Sequence, residues 1–183
     1  MGELDVINYA EYTYGRKSEG KVLALKLLAV AGYFLFIIAY FIVCITLVPI
    51  HLFAVAPIFT WILVFFTWRY VSYDYYFEFK SGSIELGTVK GGAKGRKRKL
   101  KKTVTVKEAT QIVRYSGDIS TLGRLDRLFD FSGSKASENR VALVYEKEEE
   151  RFAVIFECTS KCANLLASFN SRAAALRGAK FHG

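Results

Sequence analysis

From Leu27 to Trp68 the chain runs 42 residues without an Asp, Glu, Lys or Arg, broken only by Pro49-Ile50-His51. A spanning helix needs about 20 apolar residues to cross roughly 30 Å of hydrocarbon. Leu27–Val48 supplies 22, and Leu52–Trp68 supplies 17, extending to Val71 past Arg69. Two spans, about 27–48 and 52–71, joined by a three-residue turn predict a transmembrane helical hairpin with both chain ends on one side. Gly32, Ala31 and Ala39 in the first span, and Ala54 and Ala56 in the second, are small residues of the kind that let another helix approach. Neither span carries a charged residue in its interior, which disfavours a transport role.

Charge sets the orientation. The net charge is +9, and Lys90–Lys102 (KGGAKGRKRKLKK) holds eight basic residues and no acid, leaving +1 for the remainder. Arg16, Lys17, Lys21 and Lys26 precede the first span, Arg69 and the basic run follow the second, and the turn has no Lys or Arg. The positive-inside bias then predicts a multi-pass protein of the inner (plasma) membrane with both termini cytoplasmic. A cleaved signal peptide fits poorly, because the apolar stretch is too long and four acids lead it. Cys44 lies mid-span, and Cys158 and Cys162 give no disulfide framework. They are expected to pack the start of a helix.

Three regions follow. Residues 1–20 are a polar cytoplasmic lead, in which Val6, Tyr9 and Tyr12 fall on one face of a helical turn resting on the bilayer interface, or else a frayed tail. Residues 21–71 hold the hairpin, and 72–183 form a soluble domain large enough for its own core. There Tyr73–Lys80 (YDYYFEFK) alternates with period two, the mark of a half-buried strand. Ser81-Gly82 supplies a turn, Ser83–Lys90 a second strand, Leu100–Val106 a third and Thr110–Tyr115 a fourth. Leu122, Leu125, Leu128 and Phe129 have helical spacing and predict a short amphipathic helix over 120–131. Arg140–Glu146 and Arg151–Glu157 read as a hairpin around Lys147-Glu148-Glu149-Glu150. Thr159 or Ser160 caps a last helix, running to about Arg177 and stopped by Gly178.

Two spans followed by this strand-rich domain, with Tyr73–Lys80, the Ser81-Gly82 turn, Ser83–Lys90, the later hairpin and the closing helix, resemble the bacterial membrane-anchored PH-like (pleckstrin-homology-like) proteins. The resemblance implies an α+β membrane protein: a two-helix transmembrane hairpin, then a PH-like antiparallel β-sheet domain capped by a C-terminal helix. It also implies no enzymatic centre. Phosphoinositide binders of the wider fold use a Lys, a gap, then basic-x-Arg between their first two strands. Lys90, Arg96 and Arg98 match that spacing, although here the run follows the second strand.

The basic run is the feature with functional force. Each Lys or Arg near an anionic leaflet contributes about 1 kcal/mol, and Gly91, Gly92 and Gly95 make the segment a flexible loop. Lys90, Lys94, Arg96, Lys97, Arg98, Lys99, Lys101 and Lys102 are therefore the candidate lipid- or partner-binding residues. A solvated run that only fixes membrane orientation is the plainer reading. Nucleic acid is disfavoured, since no aromatic side chain interleaves with the cations of 94–102. His51 and His182 stand alone, Cys158-x-x-x-Cys162 lacks a histidine partner, and no nucleophile, base and stabiliser assemble, so no enzyme, cofactor or metal is expected. The function expected is a membrane-anchored binding or scaffold module, with anionic lipid headgroups or an acidic partner at the basic loop. The alternative is a subunit of a membrane complex, or a homo-oligomer, assembled through the hairpin.

Overall fold

The period-two pattern of Asp74–Lys80 (β2) and Ser83–Lys90 (β3) folds as an antiparallel pair in the computed structural model, in which residues 8–47, 55–90, 97–147, 149–176 and 181 are described. Gly82, at φ +86°, and Ser81, at φ +49°, make the turn between them. Lys97–Thr105 (β4) adds to β3, and Tyr9–Tyr14 (β1) adds to β2, giving sheet A in the order β1-β2-β3-β4. The polar lead is thus a strand and not a helical turn. Its residues alternate as strictly as those of β2: Ala10, Tyr12 and Tyr14 pair with Phe79, Phe77 and Tyr75 on one face, and Tyr9, Glu11 and Thr13 lie on the other. Pairing with β2 satisfies backbone groups that an isolated turn would leave to water.

Gln111–Arg114 (β5), Arg127–Asp130 (β6), Arg140–Lys147 (β7) and Glu150–Glu157 (β8) form sheet B in the order β5-β7-β8-β6. β6 runs parallel to β8, so this sheet is mixed where a wholly antiparallel one was expected. The amphipathic helix predicted over 120–131 is absent. A 3-10 turn at Ile119–Leu122 ends on Gly123, at φ +75°, and the chain then extends into β6. Leu122 and Leu125 still serve the core, packing with Tyr115, Ala142, Val144, Ala153 and Ile155. Asp126 and Asp130 do not pair with Arg124 and Arg127: Asp126 accepts the Arg151 N–H at 2.8 Å, and Arg127 meets Glu150 at 3.0 Å.

Between the sheets, Phe77, Phe79, Ile84 and Leu86 are fully buried, and the Phe77 and Phe156 rings meet edge to face at 5.3 Å. Burying each such side chain contributes about 1.5–3 kcal/mol. The last helix, Ser160–Phe169 (α3), starts where the Thr159 hydroxyl accepts the Cys162 N–H, and it buries Cys162, Ala163, Leu165 and Leu166. It stops at Asn170, well short of Arg177. The Asn170 amide donates to the carbonyls of Val106 and Ala109, both at 2.9 Å, and its oxygen accepts the Ala173 N–H. That side chain ties the helix end to another part of the chain, and Ala174 then bridges to Ile112. Cys158 and Cys162 are free, buried thiols at the helix start, and burial pushes the Cys158 thiol well above its ordinary pKa.

The remaining unit comprises 17–73 and contains the helices Lys21–Leu47 (α1) and Ala56–Val71 (α2). Among the described residues, one helix is long and apolar enough to cross a membrane, over Lys21–Thr46. The apolar part of α2, Ala56–Trp68, is shorter than a span requires, and it begins later than the Leu52 start read from sequence. The Pro49-Ile50-His51 turn lies outside the described residues. The Tyr33 and Thr67 hydroxyls join the two helices by a hydrogen bond.

Candidate functional site: the basic end of sheet A

Register places the basic residues. Tyr14 pairs with Tyr75, Asp74 with Val89, and Lys90 with Lys97. The chain therefore leaves sheet A after β1 and re-enters at β2 at the same end that carries the β3–β4 connection. At this end the Arg16 guanidinium lies 5.9 Å from the centre of the Tyr75 ring. Lys94, Arg96, His182 and the glycines Gly91, Gly92, Gly95 and Gly178 lie outside the described residues.

The expected flexible loop is largely strand. Lys97, Arg98, Lys99, Lys101 and Lys102 belong to β4, which begins three residues before the predicted Leu100. β4 is an edge strand, and dense Lys and Arg on an edge block further strand pairing. A bulge opposite Leu86 and Gly87 shifts the register, so that Leu86 pairs with Lys102 and Gly87 with Leu100. A Cβ on Gly87 would stand 2.4 Å from the Lys99 carbonyl oxygen and 2.6 Å from the Tyr76 ring. Only the bare glycine lets that ring lie flat across the outer face.

The eight cations are not equivalent. Arg98 reaches over Tyr76, its guanidinium 5.3 Å from the ring centre, to the carboxylates of Glu11 and Glu78. Tyr9 donates its hydroxyl to Glu11, and that bond with burial pushes the Tyr9 pKa up to about 12. Arg98 thus ties β4 to β1 and β2 across the outer face, and its charge is answered within the chain. Lys102 turns to the aromatic pair Phe129 and Phe152, at 4.6 and 4.7 Å from their centres. Lys97, Lys99 and Lys101 are exposed and have no ion-pair partner among the described residues. The candidate set contracts to these three, with Lys90 beside Lys97.

Sequence reasoning missed Glu11, Glu78 and Tyr76, whose shared face becomes visible only when Tyr9–Tyr14 is known to be a strand. It also missed Arg140, a buried cation at the start of β7. The signal available was the arginine itself, opening an otherwise apolar strand core.

No curated protein and no solved structure matches the chain. The family described as a bacterial PH-like domain (DUF6106) matches residues 6–176. That span takes in β1, both helices and both sheets, so the helices lie inside the family's unit and not in front of it. The chain belongs to this family of bacterial PH-like domains.

Proposed function

We propose that the protein is a membrane-anchored, non-enzymatic binding and scaffold module whose basic strand end contacts anionic headgroups, or an acidic partner, at the cytoplasmic face. The pairing of β1 with β2 around the helical insertion carries this reading. Six residue pairs, Tyr9↔Lys80 to Tyr14↔Tyr75, hold strands on either side of α1 and α2 in one sheet. A sheet cannot straddle hydrocarbon, because its backbone groups would go unsatisfied there. If α1 crosses the bilayer, the stretch from 48 to 71 has to return, which favours a multi-pass hairpin over one span. Removal of α1 with a signal peptide would also detach β1 from its sheet. Lys and Arg flank both ends of the insertion, which favours cytoplasmic termini.

Both crossings of the chain lead to the sheet end that carries Lys90 and Lys97. Three exposed lysines on the adjoining edge strand would each contribute about 1 kcal/mol near an anionic leaflet, within a Debye length of roughly 8 Å. The test uses full-length protein in nanodiscs of phosphatidylcholine, with or without phosphatidylglycerol. Amide exchange over 97–101 is expected to slow in the anionic discs, and to return at high salt or in a variant with Lys97, Lys99 and Lys101 changed to Glu. Equal exchange in both lipids would overturn the lipid reading.

A second reading, a subunit assembled through the hairpin, draws on α1. Its side chains are exposed along nearly all its length, and a Cβ on Gly32 would meet no atom within 4 Å. Gly32→Leu is expected to break such an assembly while leaving the exchange pattern of β4 unchanged.

A further inference from the structure

Sheet B carries an arginine whose position is costly unless something answers its charge. Arg140 opens β7 and is 4 % exposed. Its guanidinium lies 4.9 Å from the centre of the Tyr115 ring, and its Nε donates to the Ser137 carbonyl at 3.3 Å. No carboxylate forms an ion pair with it among the described residues. The acids around it are committed elsewhere. Glu157, its cross-strand neighbour, accepts the N–H groups of Gly133 and Ser134 at 2.9 and 3.1 Å. Asp130 accepts from Ser132, Asp118 accepts the Ser120 N–H, and Glu138 meets Arg114 at 3.5 Å. Burying a charge without a partner costs several kcal/mol, and natural chains avoid it or supply a counter-ion.

Around this arginine lies a concave site of about 350 Å³, lined by Arg114, Tyr115, Ser116, Lys135, Ser137, Glu138 and Arg140 among others. Three of those side chains are cationic and one is anionic. Gly117, at φ +109°, closes in on the guanidinium, and a Cβ there would stand 3.2 Å from Arg140 Nη2. The volume sits at the lower end of the range for small-ligand sites. A guanidinium presents a planar fork suited to two oxygens of one oxyanion, and a nearby lysine supplies a point charge.

We propose that this concavity is an anion site for a phosphate group, gripped by Arg140 with Lys135 at its mouth. It is separate from the lysines of β4 and does not rest on the membrane reading of α1 and α2. The loop that walls it runs from Phe131 to Arg140 and packs on the end of β1. Tyr14 donates its hydroxyl to the Phe131 carbonyl at 2.8 Å, and the Tyr75 and Phe131 rings meet at 6.0 Å. A lipid headgroup and a small soluble phosphate present the same oxygens to this grip.

The experiment uses the full-length protein. In neutral detergent, inorganic phosphate is titrated against thermal unfolding at constant ionic strength, with chloride as the control anion. A saturable rise in Tm with phosphate alone is expected. Arg140→Lys keeps the charge and loses the fork, and should weaken binding about tenfold or more. Lys135 is exposed, so Lys135→Gln should weaken binding without disturbing the fold, which keeps the test sound if Arg140→Lys folds poorly. In nanodiscs, exchange protection over 114–118 and 134–140 by phosphatidic acid, but not phosphatidylcholine, would assign the headgroup. Phosphate binding without that protection would assign a soluble ligand. No effect of phosphate in either setting, or equal binding by the wild type and both variants, would overturn the site.

Discussion

The two ends of the sheet domain handle charge in opposite ways. At one end lie Arg16, Lys90, Lys97, Arg114, Lys135 and Arg140, beside the points where the chain leaves β1 and enters β2. At the other, the β7–β8 hairpin brings Glu146, Glu149 and Glu150 together with Lys147 and Arg151 around a hollow of about 440 Å³. The acids there are answered locally: Glu150 meets Arg127 at 3.0 Å and Glu146 meets Arg151 at 3.4 Å. Among the described residues, the basic end instead leaves Arg140 buried without a carboxylate ion pair, and Lys97 exposed without one. A charged surface that satisfies itself is a solvated boundary. One that stays unsatisfied, at a cost in stability, is where an outside partner is needed.

Changes at the two ends should separate them. The largest effect is expected from Gly133→Ala. A Cβ there would stand 2.6 Å from the Gly15 carbonyl oxygen, backbone that cannot swing aside. At the β2–β3 turn, Gly82→Ala meets the Phe169 ring at 2.8 Å, and adds left-handed strain at φ +86°. Chemical denaturation should show about 2–3 kcal/mol lost for the first, with the Tyr14–Phe131 contact loosened, and about 1–2 kcal/mol for the second. A larger loss at Gly82 would show that the side-chain ring of Phe169 yields less than the Gly15 backbone.

Arg140→Leu in phosphate-free buffer should raise stability by about 1 kcal/mol, because an unanswered buried cation is removed. If the variant is markedly less stable, the guanidinium has a structural partner and the contrast between the ends weakens. The smallest change belongs to the β7–β8 hairpin end. Glu150→Gln should alter stability by less than about 0.5 kcal/mol and reduce its salt dependence, since both members of its ion pair are exposed.

Much of this architecture is legible in the residues, and the failures have physical causes. β2, β3 and the β7–β8 hairpin show their alternation against turn residues, so periodicity alone places them. β1 has the same alternation, but its partner lies 61 positions away, from Tyr14 to Tyr75, and six residues with a polar face give no local sign of pairing. The 120–131 segment misleads because Leu122 and Leu125 reach the core from a 3-10 turn, while Leu128 and Phe129 belong to a strand. Their spacing is helical by coincidence of two elements. The end of α3 is set by one amide side chain bonding to distant carbonyls, which no local pattern encodes. In the candidate site, composition marks the basic run, but not which cations are spent internally: Arg98 on Glu11 and Glu78, and Lys102 on two aromatic rings. Arg140 escaped notice because its one signal, a basic residue opening the apolar run of β7, is weak until its burial is known.

The insertion of two helices between β1 and β2 also has a kinetic meaning. β1 is synthesised before its neighbour by about sixty residues, which at 5–20 residues per second is roughly three to twelve seconds of waiting. During that time β2, β3 and β4 do not exist, and afterwards they can zip locally while the Phe77 and Phe79 strand still shows a bare edge. Closing that edge is the one long-range step of sheet A, and it has a loop-closure cost that the local hairpins avoid. The first strand of sheet A to be made is therefore expected to be the last to dock.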